Sequence, residues 1–124
     1  MNSMFTKIVR ILLGILLVLF GANKFFGFIP LPELPEKAAS FMTSLGATGY
    51  VLKTVGFLEI IIGALLLLKK WVAFALTLLA PISINILLFH LFLDVNGITG
   101  ALLVAVLNGM LIYKHWPQYK SLFQ

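Results

Sequence analysis

The 124-residue chain has no cysteine and little charge: four acidic residues, nine lysines and arginines and two histidines. Without thiols, disulfide relays, cysteine nucleophiles and thiolate metal sites are excluded, and any redox role has to borrow its redox centre. Signatures of soluble enzymes are missing too. The sequence contains no HxxxH or ExxH pair, no glycine-rich phosphate loop and no nucleophile elbow, so neither a metal site nor a catalytic residue is expected.

What is abundant is hydrocarbon. Hydrophobic residues make up 61% of the chain and charged ones 10%, against about 45–50% and about 25% in ordinary soluble domains. Four apolar segments, roughly 8–26, 50–68, 71–92 and 98–113, approach or exceed the ~17–20 residues of a helical membrane span. Lys7 and Arg10 precede the first, as in a signal peptide. Its apolar run exceeds the ~7–15 residues of a signal core, and "GANKFFGFIP" offers no small-x-small cleavage site, so it is read as a retained span. The connections after the second and third spans are short, which forces sequential helices to run antiparallel. The expected fold is all-α: an antiparallel four-helix transmembrane bundle filling a single domain, 1–124.

The formal charge is +5, but its placement argues against nucleic acid as a partner. Lys7, Arg10, Lys69, Lys70, Lys114 and Lys120 flank the spans on one side, whereas Glu33, Glu36 and Asp94 lie on the other. By the bias of short loops, both termini and the Lys69-Lys70 turn are cytoplasmic. Trp71, Tyr113 and Trp116 beside the lysines, and Tyr50 at the opposite edge, read as interfacial anchors.

The first connection, "GFIPLPELPEKAASFMTSLGATG", is the long one. Pro30, Pro32 and Pro35 stop the preceding helix. A short amphipathic helix is expected from about 35 to 45, with Glu36 at its positive end, Gly46 as its stop, and Ala38, Phe41, Met42 and Leu45 on one face. It either covers the extracytoplasmic mouth of the bundle or floats at the lipid interface.

Against this oily background the polar residues within spans stand out. In "TVGFLEIIIGALLLLKK" Glu59 sits nine residues from Tyr50 and ten from Lys69, roughly 14–15 Å from either boundary. A charge there costs roughly 2.5–3.5 kcal/mol or more. Gly56, Glu59 and Gly63 share one helix stripe, and glycines admit a neighbouring helix closely, so Glu59 should face inward. The first span has a matching stripe of Gly14, Leu17, Gly21 and Lys24. Lys24 is the expected ion partner of Glu59, with Asn23 as helper; Lys53, the competitor, is near enough to the boundary to reach water. Alternatively, Glu59 is neutral glue bonded to a backbone carbonyl. In the third span Pro81 frees the Thr77 carbonyl, Asn85 follows one turn later, and His90 and Asp94 share a face at four-residue spacing, either orienting an imidazole for proton transfer or forming an ordinary interfacial pair. In the fourth, Asn108 is placed to bond across helices.

The stretches "GANKFFGF" and "GFLEIIIGALLLL", the lysine-bearing turn, and a third span holding Pro81, Asn85 and His90 resemble the DoxX family of small four-helix membrane proteins over nearly the whole chain. The resemblance implies a bacterial inner (cytoplasmic) membrane location. The family's name comes from subunits linked to a thiosulfate:quinone oxidoreductase. Similar four-helix proteins include a receptor-assembly chaperone and relatives of the quinone-linked vitamin K epoxide reductase fold, whose thiol chemistry this cysteine-free chain cannot share.

Two functional readings follow. In one, a binding or redox-accessory protein encloses a polar pocket for a quinone or a lipid, built from Asn23, Lys24, Glu59, Asn85, His90, Asp94 and Asn108, with Phe25, Phe26, Phe89 and Phe92 lining an apolar approach. In the other, the chain is an assembly factor, a homo-oligomer or a small subunit of a larger membrane complex. The first expects Glu59 and Lys24 on an internal cavity, the second a filled core. An ion conductor is disfavoured because the fourth span offers only Asn108 as an interior polar group and the inner half of every span is nearly unbroken hydrocarbon. Independent catalytic activity is not expected.

Overall fold

The computed structural model describes residues 3–30 and 33–124. Pro32, one of the expected helix breakers, lies outside them. Five α-helices follow in order: α1 Ser3–Phe26, α2 Glu36–Ala47, α3 Val51–Leu68, α4 Val72–Leu93 and α5 Ile98–Lys114. All but α2 are long and apolar enough to cross a membrane, α5 when counted with the 3₁₀ turn Val95–Gly97 that leads into it. At ~1.5 Å per residue the 18 residues of α3 cover about 27 Å, close to the ~30 Å of bilayer hydrocarbon.

Hydropathy marks the membrane limits of a helix rather than its own ends. So α1 begins at Ser3 instead of position 8: Thr6 and Lys7 are tolerated in a helix whose first turns need not lie in lipid. The stop of α2 also differs from expectation. Gly46 lies inside its last turn, and the chain leaves the helix at Gly49, whose φ of 81° is open to glycine without strain. The Thr48 hydroxyl donates to the Leu45 carbonyl there.

The closest seam is between α1 and α3. Running antiparallel, they set Gly14 opposite Gly63 and Gly21 opposite Gly56. A Cβ on Gly21 would lie 2.6 Å from the Gly56 carbonyl oxygen, and one on Gly63 would lie 2.7 Å from that of Gly14. The backbones therefore meet where any side chain would collide, the usual route to dense packing between helices in lipid. At the end bearing Lys69 and Lys70, Arg10 is buried and its guanidinium donates to the Leu66 carbonyl. That carbonyl belongs to the last turn of α3, where Lys70 N–H reaches Leu65 O and Lys69 N–H reaches Leu66 O, a Schellman closure with Lys69 rather than glycine in the left-handed position.

This lysine-rich half is packed solid. Leu13, Leu17, Ile62, Leu66, Leu76, Leu79 and Leu111 are fully buried there and toward mid-span. Beyond α5 the chain turns back through two 3₁₀ segments, and Tyr119 inserts against α4, its hydroxyl donating to the Ala73 carbonyl at 2.7 Å. Burial pushes its phenol above the ordinary tyrosine range. At the opposite end α2 lies across the bundle. Ala38 is fully buried and Phe41 packs on Phe89 of α4 with ring centroids 5.7 Å apart, so this helix covers the mouth rather than floating free.

Candidate functional site

Side chains on a helix lean toward its N-terminus. Because α1 and α3 run oppositely, Lys24 near the end of α1 leans back toward mid-bilayer while Glu59 in the middle of α3 leans out to meet it. Their tips approach to 2.6 Å, Lys24 Nζ to Glu59 Oε1. The carboxylate is buried, and the ammonium side chain keeps a quarter of its surface accessible. Lys24 is the charged partner at Glu59 Oε1, an oxygen with almost no accessible surface of its own. Lys53 is exposed and takes no part.

The pair forms one wall of a partly enclosed cavity of about 440 Å³ in the α2 half of the bundle. Asn23, Ser83, His90 and Asp94 supply its other polar groups, and Leu17, Phe20, Ile86 and Phe89 are among its apolar ones. His90 Nδ1 is 3.2 Å from the Asp94 backbone oxygen and 3.4 Å from Asp94 Oδ2. Two acceptors beside Nδ1 favour a ring proton there. Phe89 stacks edge-on against the ring at 5.0 Å and fixes its plane.

The other candidates are placed differently. Asn23 spends its amide on its own loop: Ile29 N–H donates to its Oδ1 at 2.7 Å, and its Nδ2 donates to Ile29 O at 3.3 Å. It shapes the rim and is not a helper of the ion pair. Asn85 does not border this cavity. It is exposed, donates to the Pro81 carbonyl at 2.9 Å, and lines a second hollow of about 650 Å³ between α2, α3 and α4. Asn108 lines neither hollow. Its Oδ1 accepts from Ser83 Oγ at 3.0 Å and its Nδ2 donates to Leu76 O at 3.3 Å, clamping α5 to α4. Phe89 borders both hollows and Phe92 the larger one, whereas Phe25 and Phe26 border neither. Among the described residues no three His, Asp or Glu side chains come together as a metal site would require.

Two residues were not singled out from the sequence. Arg10 reads there as a cytoplasmic flank, yet it lies four residues before Gly14 on the same stripe, a spacing that points it at α3. Ser83 carries no sequence signal beyond being a small polar residue in oil; its link to Asn108 depends on the α4–α5 register.

Four apolar helices closing round a buried ion pair define a small multi-pass membrane protein with a polar site inside its span. Residues 5–91, from α1 into α4, match the family model described as DoxX, and the chain belongs to the DoxX family. No curated protein and no solved structure matches the chain.

Proposed function

We propose that this protein binds the polar head of a membrane-soluble molecule, a quinone or a lipid, in the Lys24–Glu59 cavity of its extracytoplasmic half. The observation that carries the reading is that the Lys24–Glu59 pair borders a cavity which also gathers Asn23, Ser83, His90 and Asp94 between apolar walls. A volume of about 440 Å³ falls in the range of about 300–1,000 Å³ typical of small-molecule sites, which likewise combine apolar walls with a few convergent polar groups. Lys24 supplies a donor for a carbonyl and the Glu59 carboxylate an acceptor for a hydroxyl, with the His90 ring beside them on the same cavity. On this reading the protein sits in the bacterial inner membrane with both termini cytoplasmic, following its lysines.

The test is extraction of the protein purified in mild detergent, with mass spectrometry of what it carries, repeated for Glu59→Gln and Lys24→Met. A stoichiometric quinone or single lipid that both variants lose supports the reading. Bulk lipid alone in the wild type, with variants that merely unfold sooner, turns the assignment toward an assembly factor or subunit.

A further inference from the structure

The two hollows are not separate. The smaller cavity holds the ion pair; the larger hollow, about 650 Å³, lies between α3 and α4 toward the α2 end. Lys24, Met42, Leu52, Ile86, Phe89 and His90 border both. The floor of one is thus the threshold of the other. Pro81, Asn85, Leu88 and Phe92, on the far wall of the larger hollow, are exposed side chains of a helix whose outside faces lipid. The hollow is therefore a lateral groove, roofed by α2 and reaching from the hydrocarbon to the polar site.

The charges constrain what can use it. Lys24 is paired with Glu59 at 2.6 Å, and among the described residues the other carboxyl on this cavity is Asp94, with His90 beside it at 3.4 Å. Among the described residues no lysine or arginine other than the Glu59-paired Lys24 borders the cavity, so a phosphate would arrive opposite the Asp94 carboxyl with no unpaired lysine or arginine to balance it, at a heavy cost in low dielectric. A neutral head with carbonyl or hydroxyl groups meets no such penalty.

Resting on the pocket reading above, we infer that the ligand is an electroneutral amphiphile with one long apolar tail, entering sideways from the bilayer, its head seated at Lys24, Glu59 and His90 and its tail lying in the groove between α3 and α4. The shared chemistry fits a tailed benzoquinone and a monoacylglycerol alike. Since lipid is as apolar as the groove, the groove contributes passage and shape rather than hydrophobic driving force.

The experiment uses the full chain in detergent and native mass spectrometry with four probes: a decyl-tailed benzoquinone, the tailless benzoquinone, decanoyl monoglyceride and a short-chain phosphatidylglycerol. Val55 and Leu88 border the groove and not the ion-pair cavity, so Val55→Trp and Leu88→Trp each block it from one side. Either substitution is expected to weaken binding of the tailed neutral probe by at least about tenfold, as overpacking does, and to leave the tailless quinone unchanged. The preference between benzoquinone and monoglyceride tells the two sources apart. Tailed binding that survives both tryptophans overturns the groove; wild-type preference for phosphatidylglycerol overturns the neutral head. Tailless binding insensitive to Glu59→Gln sinks the head site itself, independently of the groove, and a wild type that takes up none of the probes overturns both.

Discussion

Helix α3 has two different neighbours. Against α1 it lies so close that carbonyls sit where methyl groups would go; against α4, toward the α2 end, it stands off and leaves a groove. The residues explain the contrast. On the α1 side, Gly56 and Gly63 meet Gly21 and Gly14, so no side chain holds the backbones apart. On the α4 side Leu52 and Val55 face Ile82, Ile86 and Phe89, and bulky groups on both helices fill what they can and leave the rest open. The tight seam supplies the rigidity, and it carries both partners of the ion pair. The open seam supplies access. A bundle in lipid, lacking a strong hydrophobic force between its helices, can afford an open seam where another is closed to backbone contact.

The largest effect is expected at the ion pair, which the tight seam positions. Lys24→Met strands a buried carboxylate and should cost about 3–5 kcal/mol, whereas the double change Lys24→Met with Glu59→Met should recover most of it; thermal unfolding in detergent measures both. Next comes the seam itself. Gly21→Ala or Gly63→Ala places a methyl against a carbonyl and should cost about 1–3 kcal/mol, while the far larger Val55→Phe on the open side should leave the unfolding midpoint within a few degrees. That contrast breaks the comparison if the two sides respond alike. Smaller again is the α4–α5 clamp: Asn108→Leu should cost about 0.6–1.7 kcal/mol, the span of interhelical hydrogen bonds measured in membranes.

The smallest effect lies at the lysine-rich end, far from either seam's opening. The folded-state phenol of Tyr119 is raised above its unfolded value near ~10. Its contribution is therefore complete below the unfolded value and is lost as pH rises through the folded one, when the hydroxyl surrenders the proton it donates to Ala73 O. Alkaline unfolding should set in at lower pH for wild type than for Tyr119→Phe, once each is normalised to its stability at neutral pH, and a late-titrating tyrosine should vanish from the absorbance titration of the variant.

Much of this architecture is legible in the residues. The expected boundaries of the second, third and fourth spans agree with α3, α4 and α5 to within a residue, because apolar length and turn chemistry coincide there. The Lys24–Glu59 pair is legible for a stronger reason: each residue lies on a stripe with two glycines, and glycine stripes seven residues apart on antiparallel helices have one close register. The α2 placement is not legible, since the same amphipathic face suits lipid or protein, and only the fit of Ala38 and Phe41 against the mouth decides it. The separation of Asn85, Asn108 and Asn23 from the pair is hidden for a related reason. An asparagine in oil announces that it needs partners, but whether these are its own backbone, a neighbouring helix or a ligand depends on distances that no spacing encodes.

The central claim is that the buried pair faces a ligand site and does not merely join two helices. It is tested most directly by the charge-free double variant Lys24→Met with Glu59→Met, which removes the polar groups while keeping the seam. Extracts of wild type and double variant, purified identically and matched for unfolding midpoint, would be compared by quantitative mass spectrometry. The account predicts one neutral tailed molecule near stoichiometry in the wild type and its loss from an equally stable double variant. An equally stable variant that keeps the same molecule, or a wild type holding no single species above the bulk lipid, would contradict it.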